Sequence, residues 1–206
     1  MLSLIGREIR DHIVFVLAQC VFALFMIALA TRVFLSGVGM ASLVPVALLM
    51  SLPLLIFCIL GAAQMYGDRA HKVSALLGTL AVTRNRILLA RVLVGVLTIV
   101  AAIVPLVVAI LVLMRLLVPG AELWYRMVGE MSVTLALTGF ACYCVGLLVG
   151  WTTSRVWLIA GNLLLLLVTV SLIYIKGFGP EVMGVLLLVI AAVLLRVWHT
   201  FTSASL

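Results

Sequence analysis

Charge is scarce in this sequence: thirteen Lys and Arg and six Asp and Glu make up only 9% of its 206 residues. Water-soluble domains carry about 25%, so a soluble enzyme, a disordered segment and a nucleic-acid-binding domain all fit this composition poorly. Acids are the fewest. Glu8, Asp11, Asp68, Glu122, Glu130 and Glu181, like His12, His71 and His199, fall at the edges of long apolar runs or between them. A charge at the centre of a bilayer is costly and kept only for a purpose, and none lies near the centre of any run. No metal site, paired-carboxylate centre or proton relay has a candidate constellation, and no catalytic, cofactor-binding or metal residue is assigned. A G-x-x-x-x-G-K-[ST] phosphate loop is missing, so the chain is not expected to bind and hydrolyse ATP in that way. The four cysteines, Cys20, Cys58, Cys142 and Cys144, sit inside apolar runs, where a thiol packs as a small hydrophobe. No linker, low-complexity tract or second domain is visible.

Apolar residues fill the rest, at 67% of the chain and a mean hydropathy of +1.46. This is the composition of an integral membrane protein. A spanning helix needs about 20 mostly apolar residues, and such runs predict six spans at 13–31, 38–65, 87–114, 131–151, 156–175 and 182–198. The first exceeds the roughly 7–15 residues of a signal-peptide core, so an uncleaved anchor is expected. The expected fold is an all-α membrane protein of one domain, residues 1–206. Arg7, Arg10, Arg69, Lys72, Arg84, Arg86, Arg91, Arg155 and Arg196 lie on one side of this topology; Arg32, Arg115, Arg126 and Lys176 lie on the other. The positive-inside rule then puts both termini in the cytoplasm, and the basic excess needs no nucleic acid. Trp124, Tyr125 and Tyr174 near one face, with Tyr66, Trp151, Trp157 and Trp198 near the other, fit two interfacial belts.

The polar pieces are few and patterned. In the second connector, Val73, Leu76, Leu77 and Leu80 share one helical face while Asp68, His71, Ser74 and Gly78 lie opposite, which predicts a short amphipathic helix at the cytoplasmic interface. It either shields the ends of two spans or docks a cytoplasmic partner. Leu2, Ile5, Ile9 and Ile13 likewise oppose Ser3, Arg7, Arg10 and Asp11, predicting an N-terminal interfacial helix that either anchors on membrane lipid or takes part in partner contact. In the third connector, Pro119-Gly120, Glu122 with Arg126 at i,i+4, and Trp124-Tyr125 predict a short interfacial helix on the outer face.

The second connector ends in Leu-Leu-Gly-Thr-Leu-Ala-Val-Thr-Arg84 and is followed by Ile87-Leu-Leu-Ala-Arg91. Together with an amphipathic N-terminal helix and two preceding spans, this order resembles the permease subunits of type-2 ABC transporters. The matching positions are Asp68, Leu76, Leu77, Val82, Thr83, Arg84 and Arg91. Ala81 stands where that family usually has proline, and Lys72 stands near its usual glycine. The resemblance implies that the connector is a coupling helix seated on a separate ATP-binding cassette subunit, docked through Asp68, His71, Lys72, Leu76, Leu77 and Arg84. It also implies that ATP and Mg are bound by that partner and not by this chain, that a second permease copy or a sister permease completes the transporter, and that the membrane is a bacterial inner membrane. The short Lys176-Gly-Phe-Gly-Pro-Glu181 connector leaves no room for the re-entrant helices the family often places there.

Gly139, Cys142, Gly146 and Gly150 form a small-residue stripe containing one GxxxG, which predicts a close helix contact either within the chain or between copies. Pro45, Pro53 and Pro105 are expected to bend or loosen their helices. Gln19, Gln64 and Asn162 are the uncharged polar groups expected to face the bundle interior, as inter-helix hydrogen bonds or along a substrate path. The leading expectation is an exporter subunit moving a lipid, peptide or drug-like substrate, because an apolar path offers no ligands to an ion. A non-transporting membrane scaffold is the alternative, with a lipid-modifying enzyme behind it.

Overall fold

The computed structural model describes residues 43–70, 84–117, 122–150 and 155–203, together with helical positions between Leu17 and Arg32. Five helices have defined bounds: α1 (Leu43–Ala70), α2 (Arg84–Leu117), α3 (Glu122–Val149), α4 (Arg155–Lys176) and α5 (Pro180–Ser203). No strand occurs among the described residues. An apolar chain in hydrocarbon must satisfy its backbone internally, and helices do so segment by segment. The helical hydroxyls follow the same rule. Thr98, Thr134, Thr138 and Thr169 each donate to the carbonyl four residues earlier at 2.8 Å, so these polar side chains need no partner from another helix.

Three stretches are long and apolar enough to cross a membrane: Arg86–Val112 in α2, Tyr125–Val149 in α3 and Pro180–Thr200 in α5. The apolar helical runs in α1 and α4, Pro53–Tyr66 and Leu163–Ile173, are shorter. Of the six expected spans, three therefore meet this measure among the described residues. α1 continues through Pro53 and α2 through Pro105. The expected N-terminal interfacial helix, with Cys20, Gln19 and most of the amphipathic connector, lies outside the described residues.

One expectation is corrected. The third connector does not form a separate interfacial helix followed by a span from residue 131; α3 runs unbroken from Glu122. Glu122, Arg126 and Glu130 end an apolar run but do not end a helix, and their spacing supports one. Arg126 Nε donates to Glu130 Oε1 at 3.1 Å, an i,i+4 pair inside α3. At the other end of the hairpin between α4 and α5 the connection is only Gly177-Phe178-Gly179. Gly177 takes φ +74° and its N–H bonds the Ile173 carbonyl at 2.8 Å, a left-handed helix stop that suits glycine. Pro180 then opens α5, where its missing N–H costs nothing, with Glu181 in the first turn.

α3 is the central helix, packed against α1, α2, α4 and α5. Tyr143 and Leu147 of α3, Phe57 and Leu60 of α1, Val94 of α2 and Leu186 of α5 are among the most deeply buried side chains. The periphery is apolar too. α2 exposes Leu89, Leu93, Leu97, Val100, Val104, Val108 and Val112 along one side, a stripe about 35 Å long at 1.5 Å per residue. That is close to the roughly 30 Å of a bilayer's hydrocarbon. Soluble monomers rarely expose so continuous an apolar face, and lipid is the solvent that suits it.

Candidate functional site

The small-residue stripe on α3 is used inside the chain. A methyl group on Gly146 would meet the Cys58 carbonyl oxygen of α1, and one on Gly61 of α1 would meet the Tyr143 carbonyl oxygen of α3. At Gly150 it would lie 2.7 Å from Met65 Cβ and 2.8 Å from the Ala62 carbonyl oxygen. Backbone therefore touches backbone along the α1–α3 crossing, as small-xxx-small sequences permit. Gly139 belongs to the same seam, facing the Phe57 ring. Of the two uses the stripe allowed, it is the contact within the chain that these glycines make. Cys58 and Cys142, with Cys144, are buried free thiols in this region.

This close approach brings Tyr143, 0% exposed, against both helices that flank the second connector. Gly95 of α2 leaves the space its ring occupies, since a Cβ there would fall on the ring atoms. The ring also stacks on Phe140 with centroids 6.2 Å apart. Its hydroxyl lies 2.6 Å from Gln64 Oε1 of α1 and 2.8 Å from the Arg91 carbonyl oxygen of α2. Gln64 and Arg91 are each 3% exposed, and Arg91 Nη1 lies 3.5 Å from Met65 Sδ. Gln64 Nε2 has no hydrogen-bond partner among the described residues. Three helices are thus tied at one buried polar knot, in the last two turns of α1 and the first two of α2, just inside the 71–83 connector.

The structure brings together two residues the sequence singled out for different reasons, Gln64 and Arg91. Gln64 makes an inter-helix hydrogen bond. Asp68 falls in the last turn of α1, Arg84 opens α2 and Asn162 falls in α4, while His71, Lys72, Leu76, Leu77 and Gln19 lie outside the described residues. Tyr143 and Gly95 were not anticipated. The signal for Tyr143 was available: a phenol in the middle of an apolar run must bring a partner for its hydroxyl. No group of three or more His, Cys, Asp or Glu suited to a metal occurs among the described residues. The knot sets a donor on α3 against acceptors on α1 and α2, an arrangement that holds the three helices in register. Comparison with known protein families, with curated proteins and with solved structures finds no match to this chain.

Proposed function

We infer that this chain is the membrane-spanning subunit of an ATP-driven exporter of the type-2 ABC class, with six spans and both termini in the cytoplasm of a bacterial inner membrane. The observation that carries this reading is the connector sequence, Leu76-Leu77 through Val82-Thr83-Arg84, placed between two spans and followed by Arg91 at the start of the second. The connector acts as a coupling helix on a separate cassette subunit that binds ATP and Mg; this chain itself is not an enzyme. A second permease copy or a sister permease completes the pathway, which takes an apolar or amphipathic substrate. The long apolar face of α2 supports residence in lipid. The buried tie between the end of α1 and the start of α2 supports a connector held on a firm base, since both of its flanking helices bond the same phenol. This knot also gives Gln64 a structural partner, leaving Gln19 and Asn162 as the proposed polar groups along the path.

The docking assignment is tested by combining Arg84→Glu with Leu76→Asp and Leu77→Asp. The expected result is loss of the co-purifying ATPase, with the altered chain still membrane-inserted. Undiminished association would remove the basis for docking at this connector.

A further inference from the structure

Pro105 has no N–H, so the Ala101 carbonyl loses the bond that a helix would give it from four residues on. α2 nevertheless runs as one α-helix through this point, and its one hydroxyl, Thr98 Oγ1, is committed to the Val94 carbonyl at 2.8 Å. Ala101 and Pro105 are both exposed, so no other described helix covers the place. The depth is central: the Arg86–Val112 stretch of 27 residues has Ile99 at its middle, and Ala101 lies about 3 Å further along the axis. Hydrocarbon offers no donor to that carbonyl. Backbone with a missing bond persists at membrane depth where protein covers it or where a water-filled cavity meets it.

The packing of α2 changes at the same level. Ala90, Val94, Thr98, Ala101, Pro105 and Val108 fall within one arc of about 80° around the helix. The first three are buried and the last three exposed, so this side of α2 is packed as far as the middle of the span and open beyond it. Ala101 stands about 100° round the helix from Val100, and Pro105 from Val104, which sets both at the edge of the lipid-suited stripe and not along its centre. We propose that the Ala101–Val108 side of α2 is one wall of a water-accessible cleft, opening toward the Leu117 end of the helix. There the Ala101 carbonyl accepts a hydrogen bond from the hydroxyl, amide or ammonium head of an amphipathic molecule, whose apolar part lies along Val108. That this molecule is a transported substrate rests on the exporter reading above; the cleft does not.

The test is thiol labelling of the full chain in its native membrane with a cationic, membrane-impermeant methanethiosulfonate applied to both faces, against the wild type and its four cysteines as background. A thiol reacts as its thiolate, which water supports and hydrocarbon does not, so Ala101→Cys should be labelled about tenfold or more faster than Val100→Cys. Dodecylammonium should slow labelling of the Ala101→Cys chain, while dodecyltrimethylammonium, equal in charge and chain length but without an N–H, should not. Labelling of Ala101→Cys no faster than Val100→Cys overturns the cleft, as does a disulfide-linked dimer through that position, which puts a second copy of the chain there. Equal protection by both amphiphiles, or protection by neither, overturns the carbonyl as acceptor. Should Ala101→Cys fail to insert, Pro105→Cys read against Val104→Cys decides by the same contrast in labelling, since loss of a proline favours the helix; equal labelling of that pair overturns the cleft. None of these readings needs a partner subunit. A chain that purifies without a cassette protein contradicts the exporter reading instead, an outcome distinct from a cleft that fails to label.

Discussion

Glycines 129 and 146 lie in the same helix and have opposite surroundings. Nothing stands within 4 Å of a Cβ on Gly129, whereas one on Gly146 runs into the α1 backbone. Gly146→Ala should therefore destabilise the α1–α3 packing by about 1–3 kcal/mol or more, read as a fall in the unfolding midpoint in detergent. Gly129→Ala, with the added Cβ in open space, should leave that midpoint unchanged or raise stability by about 0.5–1 kcal/mol, since alanine suits a helix interior better. Equal effects at the two sites would contradict the close crossing. Gly95→Ala tests the slot for Tyr143: its Cβ lands on the ring, so the variant should displace the phenol from Gln64 and Arg91 and lower stability, measured by the same melt. The stripe of small residues was plain in the sequence, yet its partners were not. Cys58, Gly61 and Ala62 become neighbours of α3 only after two helices cross, and no spacing along one helix names the other.

At the scale of elements, the hairpin between α4 and α5 separates two contributions that look alike on paper. The Lys176 Nζ–Glu181 Oε2 pair spans it at 3.0 Å, but both side chains are more than half exposed. Exposed pairs contribute at most about 1 kcal/mol, so Glu181→Gln should leave the melting midpoint nearly unchanged. Gly177→Ala forces a side chain into a positive φ and should cost about 1–2 kcal/mol, visible in the same measurement. The absence of room for helices in this connector was legible from its length, since glycine and proline punctuate it at the positions where α4 stops and α5 starts. The start of α3 was not legible by counting apolar residues. Glu122, Arg126 and Glu130 belong outside the hydrocarbon but pair along a helix, so the helix extends past its apolar part. The 34 residues of α2 illustrate the same point, rising about 51 Å against roughly 30 Å of hydrocarbon. Tyr143 was missed because the apolar residues and cysteines around it, Phe140-Ala-Cys-Tyr143-Cys, mask a polar handle that matters only when α1 and α2 arrive.

For the whole molecule, an apolar exterior wrapped around an apolar interior makes sense only in lipid. Val100, on the exposed side of α2 near its middle, should be among the costliest sites for charge: Val100→Asp changes insertion free energy by about 3 kcal/mol and should lower the fraction of chain resistant to alkaline extraction from membranes, while Val100→Leu should not. The composition already pointed to this environment, and the helices agree with it. The functional reading rests on a narrower base, the connector between α1 and α2 and the knot beneath it. The measurement that tests it most directly is purification of the chain from its native membrane in mild detergent, with identification of what accompanies it and an assay of vanadate-sensitive ATP hydrolysis. The account predicts a stoichiometric ATP-binding cassette protein and vanadate-sensitive activity; a chain that purifies alone and without ATP hydrolysis would contradict it.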